Sequence, residues 1–166
     1  MSAFTALRRT FERSLELVVL TLMTSLAGVV LVGVIFRKAG ASLVWYDEVA
    51  SILLAWLTFY GASLAALKRA HIGFPKFVEA APDKLRAALV IVRGSIAVAF
   101  FLLVAWAGWR LLAVLEGTAL VSLPWVPVAL AQSVIPVGAI LFIAAEIVST
   151  VELLRDSSPR REVAPP

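Results

Sequence analysis

Four long runs of apolar residues alternate with short polar segments along the 166-residue chain. They extend over Leu17–Phe36, Val49–Leu67, Gly94–Leu115 (interrupted by Arg110) and Gly117–Ala145. At about 1.5 Å per helical residue, each crosses most or all of a hydrocarbon layer roughly 30 Å thick. The pattern predicts an all-α integral membrane protein with four transmembrane helices, spanning about residues 15–36, 48–67, 88–115 and 125–150.

The segment before the first run has its own periodicity. Phe4, Leu7, Phe11 and Leu15 recur at helical spacing, with charged residues around the rest of the helix. This predicts a short N-terminal amphipathic helix over residues 1–14, lying on the membrane surface. A frayed terminus is the alternative, and a cleaved signal peptide is disfavoured because the apolar run exceeds a usual signal core. Residues 155–166 are predicted to form a disordered tail, which leaves 15–154 as the membrane domain.

Composition restricts the function classes. Apolar residues make up 61% of the chain and charged residues 16%, against about 45–50% and 25% in soluble domains. Four spans leave no room for a soluble catalytic module, so we expect no enzyme. The absence of cysteine excludes disulfides and thiolate metal sites. The net charge of +4 comes from basic residues beside the spans, which fits lipid head groups and not nucleic acid.

The basic residues also predict the topology. Twelve of the fifteen Lys and Arg residues lie in the N-terminal segment, in the second loop with its flanks, and in the tail. Because cytoplasmic loops carry the excess of Lys and Arg, both termini and the second loop are predicted to be cytoplasmic.

Two carboxylates, Asp47 and Glu48, open the second span directly after Trp45 and Tyr46. Carboxylates are stabilised at a helix N-terminus by the macrodipole, and tryptophan is typical of the membrane interface. Alternatively, Arg37 at the end of the first span reaches Glu48 and pins the two helices together. A third interpretation is that these charges contact a partner subunit.

The remaining polar residues offer little chemistry. Arg110 and Glu146 lie toward span ends, where their charges can snorkel to the interface. His71 is the only histidine and falls in a loop, so no metal or cofactor site is expected. Pro136 lies within the fourth span and predicts a kink.

Several short motifs follow one another along the chain, and their residues are the candidate structural or partner-interface residues: Arg37, Trp45, Asp47, Glu48, Trp56, Gly61, Ala62, His71, Trp125, Pro136 and Gly138. This ordered set resembles the small membrane subunit of tripartite ATP-independent periplasmic (TRAP) transporters, the DctQ-like family. One departure is Gly73-Phe74-Pro75, where many members carry a basic and an acidic residue.

The resemblance implies a subunit of the bacterial inner membrane. In such systems a periplasmic binding protein captures an organic acid, and a large multi-span permease subunit imports it with a sodium gradient. The small subunit would scaffold the large one, surrounded by lipid, and would need no cofactor itself. Arg37, Trp45, Glu48, Trp56 and Gly61 would then be structural and interfacial residues.

Two other functions fit a four-span chain. A self-sufficient homodimeric transporter would need an ionisable residue within a span, and the nearest candidates, Glu16, Arg110 and Glu146, all lie toward span ends. A membrane anchor of another complex is the second alternative. If that complex were a redox enzyme, the anchor would need axial histidines for haem, whereas His71 is alone.

Overall fold

The computed structural model describes residues 3–68 and 82–156. These residues form five helices: α1 Ala3–Lys38, α2 Tyr46–Leu67, α3 Asp83–Val114, α4 Val128–Gln132 and α5 Val134–Asp156. Four segments are long and apolar enough to cross a membrane: α1, α2, most of α3, and α4 with α5 together. The prediction of an all-α protein with four membrane-spanning helices is therefore confirmed. His71 and the tail beyond Asp156 lie outside the described residues.

The long helices pack side by side as a row, in the order α1, α2, α5, α3. In the most apolar part of the α4–α5 span, 44% of the residues are buried. In the corresponding parts of α1 and α3, only 6% of the residues are buried. The α5 helix is therefore the centre of the packing, whereas α1 and α3 form two open flanks. We call the end with the start of α1 and the end of α5 the terminal end, and the opposite end the loop end.

The core lies between the helices toward the terminal end. It is formed by Leu15 of α1, Leu67 of α2 and Phe142 of α5, together with small alanines. The rings of Phe101 on α3 and Phe142 stack with centroids 3.8 Å apart. One aromatic pair thus connects the α3 flank to this core.

The separate N-terminal interfacial helix is not seen. Residues 3–14 are the first turns of α1, which continues without a break for 36 residues. No glycine or proline occurs before Gly28, so nothing in the sequence ends the helix there. Phe11 and Leu15 pack on the core, whereas Leu7 is 70% exposed. The amphipathic pattern of residues 3–14 therefore reflects the packing of part of this segment against the other helices.

The fourth span is interrupted one residue before α5 begins. Ser133 separates α4 from α5, which places Pro136 in the first turn of α5. Proline is tolerated there because a first-turn residue needs no N–H for the helix ladder. The predicted kink at Pro136 is in fact a helix boundary just before it.

Residues 115–127 form an ordered connection at the loop end. The Leu120 amide donates to the Val126 carbonyl at 3.0 Å, and the Val128 amide donates to the Thr118 carbonyl at 3.0 Å. A bridge of the antiparallel type joins Ala119 and Pro127. These backbone bonds give the connection a defined shape.

Candidate functional site

The Glu48 carboxylate holds the 115–127 connection onto the start of α2. It accepts hydrogen bonds from the backbone N–H groups of Val121 at 3.2 Å and Ser122 at 2.8 Å, and from the Ser122 hydroxyl. Glu48 is in the first turn of α2, so the helix dipole also favours its charge. One side chain therefore joins two segments that are 74 residues apart in the sequence.

The predicted Arg37–Glu48 pair is wrong. The Arg37 guanidinium donates to the Tyr46 hydroxyl at 2.6 Å and lies 5.5 Å from the centroid of that ring. Glu48 is already occupied by the three donors of the connection. A Cβ on Gly33 would clash with the Tyr46 ring, so this ring rests directly on the α1 backbone. Arg37 therefore joins α1 to α2 through Tyr46.

Trp56 joins α2 to the interruption between α4 and α5. Its indole N–H donates to the Ala131 carbonyl at 2.9 Å, and its ring stacks on Tyr60 with centroids 6.1 Å apart. Ala131 is in the last turn of α4, two residues before the break at Ser133. An indole N–H thus satisfies a carbonyl at a point where helix ends need outside partners.

Pro136 and Gly138 lie where α2, α3 and α5 come together. A Cβ on Gly138 would lie 2.6 Å from Phe59 Cβ of α2. On the other side, a Cβ on Gly108 of α3 would lie 2.9 Å from Pro136 Cδ. The hydroxyl of the buried Ser63 has two carbonyl acceptors: the Phe59 oxygen of its own helix at 2.9 Å and the Gly138 oxygen of α5 at 3.4 Å. Missing side chains therefore allow the three helices to approach closely.

Other predicted residues do not join these contacts. Trp45 precedes α2 without a side-chain cap bond. Asp47 is exposed in the first turn, and of the contacts above it meets only the side chain of its neighbour Tyr46. Trp125 is 77% exposed, and Gly61 has open space where a Cβ would be. Ala62 is partly buried against the core.

The most important residue that the sequence interpretation misjudged is Glu146. It is 1% exposed and does not snorkel to the interface. Its Oε1 accepts a hydrogen bond from Arg93 Nη2 of α3 at 2.9 Å. A signal was available: Arg93 lies ten residues after the start of α3, and Glu146 lies ten residues before the end of the antiparallel α5. Opposite charges at matched depth indicate a pair.

Three further ion pairs among the described residues close the terminal end. Arg8 of α1 lies 3.1 Å from Glu152 of α5. Lys68, just after α2, contacts Glu16 and lies 3.9 Å from Glu12. The hydrogen bond to Glu16 raises the pKa of Lys68 above its ordinary value. Exposed pairs of this kind contribute little energy, but they fix how α1 meets α2 and α5.

This arrangement is that of a helical membrane protein whose spans are tied together by polar contacts at both ends and whose outer helices present broad apolar flanks. A family model described as the DctQ component of the tripartite ATP-independent periplasmic transporters matches residues 26–156. The chain belongs to this family, and the resemblance found in the sequence is confirmed. The protein is a multi-pass TRAP transporter small permease subunit of the inner membrane, a transport component. Comparison with curated proteins gives no match.

Proposed function

We propose that this subunit is a rigid scaffold for the large permease subunit, which imports an organic acid by using a sodium gradient. In this proposal a periplasmic binding protein delivers the substrate, and the small subunit neither moves it nor holds a cofactor. The observation that carries the proposal is the row of helices: α5 is the most buried of the long helices, whereas few residues of the α1 and α3 flanks are buried.

The α1 flank is the proposed permease contact. A Cβ on Gly28 would meet nothing within 4 Å, and Thr24 lies exposed one turn before it. Because apolar burial gains little in lipid, membrane helices associate where small residues allow close approach. The α3 flank instead exposes Trp106 and Trp109 near the loop end, which is typical of a lipid interface.

The orientation of the subunit follows from its charges. We place the terminal end in the cytoplasm, because twelve of the fifteen basic residues belong to its segments. The loop end then faces the periplasm. In the 115–127 connection at this end, Val121 is 93% exposed and Trp125 is 77% exposed, and these residues would contact the binding protein.

Purification through a tag on the C-terminal tail tests the scaffold. From gently solubilised membranes, we expect a stoichiometric, many-span partner to be recovered with the chain. In liposomes, uptake of an organic acid should require both subunits, the binding protein and a sodium gradient. Recovery of the chain alone as a monodisperse homodimer that transports by itself would contradict the proposal.

A matched pair of variants tests the flank. Gly28→Leu fills the open surface of α1, and Ala107→Leu adds the same side chain on the exposed side of α3. We expect only Gly28→Leu to reduce the recovered permease. Loss of the permease with Ala107→Leu alone would assign the contact to α3.

A self-sufficient transporter is the second candidate, because Glu146 is a buried carboxylate inside a span. Against it, Arg93 already neutralises this carboxylate. The liposome experiment separates the two functions, since only the second predicts uptake by the chain alone.

A further inference from the structure

Two arginines lie in the span of α3, and they differ in how their charge is neutralised. The segment Ala88–Val114 carries Arg93 and Arg110 as its charged residues. Arg93 donates to the buried Glu146 carboxylate at 2.9 Å. Arg110 makes no ion pair with any described residue, and its guanidinium carbon lies 6.0 Å from the centroid of the Trp106 ring. Because a charge within a span is costly without a counter-ion, Arg110 needs an anion that the described residues do not supply.

The Arg110 side chain lies on the outside of the row of helices. Successive residues of an α-helix are rotated by about 100°, so Gly108 lies on the opposite side of α3 from both Trp106 and Arg110. Gly108 faces α5, because a Cβ there would lie 2.7 Å from Ile135 Cγ2. Trp106 is 66% exposed, and Arg110 is exposed as well. The cation and its aromatic neighbour therefore point away from the protein.

The depth of Arg110 matches that of the lipid head groups at the loop end. It precedes Val114, the last residue of α3, by four residues, or about 6 Å. A long arginine side chain can reach from this depth to the head groups while its methylene groups remain in apolar surroundings. The exposed Trp109 beside it is typical of the same level. Glu116, the nearest carboxylate along the chain, follows the end of α3 and does not pair with Arg110.

We propose that Arg110 and the Trp106 ring bind the phosphate of an anionic phospholipid, with phosphatidylglycerol as the preferred class. A guanidinium donates two parallel hydrogen bonds to phosphate oxygens, and the face of an indole ring stabilises the same cation. One acyl chain would lie along Phe100 and Leu103, which are 60% and 63% exposed. Phosphatidylglycerol carries the net negative charge that neutralises Arg110, whereas phosphatidylcholine brings a cation of its own. The proposal rests on the proposed function in one respect, because the α3 flank must face lipid and not the permease.

Native mass spectrometry of the intact complex tests the lipid directly. The complex is purified in a neutral detergent and titrated with phosphatidylglycerol. We expect Arg110→Gln to weaken the binding of one phosphatidylglycerol per complex by about fivefold, which is the usual contribution of one arginine near a membrane surface. Arg110→Lys keeps the charge and should retain part of the binding. Phosphatidylcholine should bind equally to the wild type and to Arg110→Gln.

Lys38→Gln is the matched control, because Lys38 is an exposed cation at the same end of the molecule, in the last turn of α1. We expect it to leave the binding of phosphatidylglycerol unchanged. Equal losses in Lys38→Gln and Arg110→Gln would overturn the site and indicate a general attraction between lipid and surface charge. Unchanged binding in Arg110→Gln would also overturn it, and would show that water alone solvates this arginine.

Two further measurements separate the lipid from other anions. Inorganic phosphate, added at constant ionic strength, should not displace the phosphatidylglycerol, and its displacement would assign the site to a free anion. Loss of the permease from Arg110→Gln, with lipid binding unchanged in the complex that remains, would overturn the lipid and assign Arg110 to a protein contact. Recovery of the permease with the wild-type chain tests the scaffold by itself, so failure of the lipid site and failure of the scaffold are distinguishable.

Discussion

Gly138 is the position where one methyl group should disturb the contact between α2 and α5. In the variant Gly138→Ala, the new Cβ would lie 2.6 Å from Phe59 Cβ and 2.9 Å from Phe59 Cδ1. Carbon atoms pack at about 3.5–4.0 Å, so the two helices must separate by roughly 1 Å. The nearest atom is fixed to the α2 backbone, and rotation of the Phe59 ring therefore cannot relieve the clash.

Gly61→Ala provides the matched control on α2. A Cβ at Gly61 meets nothing within 4 Å. Both substitutions gain the same helix propensity, about 0.5–1 kcal/mol, so this contribution cancels in the comparison. Overpacking typically costs about 1–3 kcal/mol. We therefore expect Gly138→Ala to be less stable than Gly61→Ala by about 1–3 kcal/mol.

The assay is thermal unfolding of both purified variants in the same detergent. For a chain of this size, 1 kcal/mol corresponds to about 2–4 °C in melting temperature. Equal melting temperatures for the two variants would refute the reasoning, because they would show that α2 and α5 do not approach closely at Gly138.

Two further substitutions test the loop end. Glu48→Ala removes the acceptor for the 115–127 connection and should accelerate amide hydrogen exchange in that connection. Asp47→Ala removes an exposed carboxylate and should leave the exchange unchanged. Equal exchange rates in the two variants would contradict the role of Glu48 in holding the connection. Trp56→Phe removes the donor to the Ala131 carbonyl and should lower the free energy of unfolding by about 1–2 kcal/mol. Trp125→Phe changes an exposed ring and serves as the control for Trp56→Phe. A similar loss of unfolding free energy in both variants would indicate a general effect of ring size and not the loss of the hydrogen bond.

The number and identity of the long helices could be predicted because the thickness of a bilayer sets the length of each span. Apolar runs of about 20 residues are visible without any knowledge of packing. The joining of residues 3–14 to α1 was not predicted. A surface helix and an extension of the span share the same apolar periodicity, and only the contact of Phe11 and Leu15 with the core distinguishes them.

The polar contacts were harder to predict, since each depends on a partner that is distant in the sequence. Arg37 and Glu48 are close along the chain, yet Glu48 bonds Ser122 and Arg37 bonds Tyr46. The start of α2 was correctly singled out, but the choice of partners depends on where residues 115–127 fold back. The depth of Glu146 could have been matched to that of Arg93 from the helix lengths alone.

The length of α1 has a consequence for assembly in membranes of different composition. Its 36 residues extend about 54 Å, whereas a hydrocarbon layer measures roughly 30 Å. The helix must therefore tilt strongly or project into water at one or both surfaces. A partner that lies along α1 would keep the same contacts in a thinner or a thicker bilayer. Hydrophobic mismatch would then change how far the helix emerges, and not which residues meet.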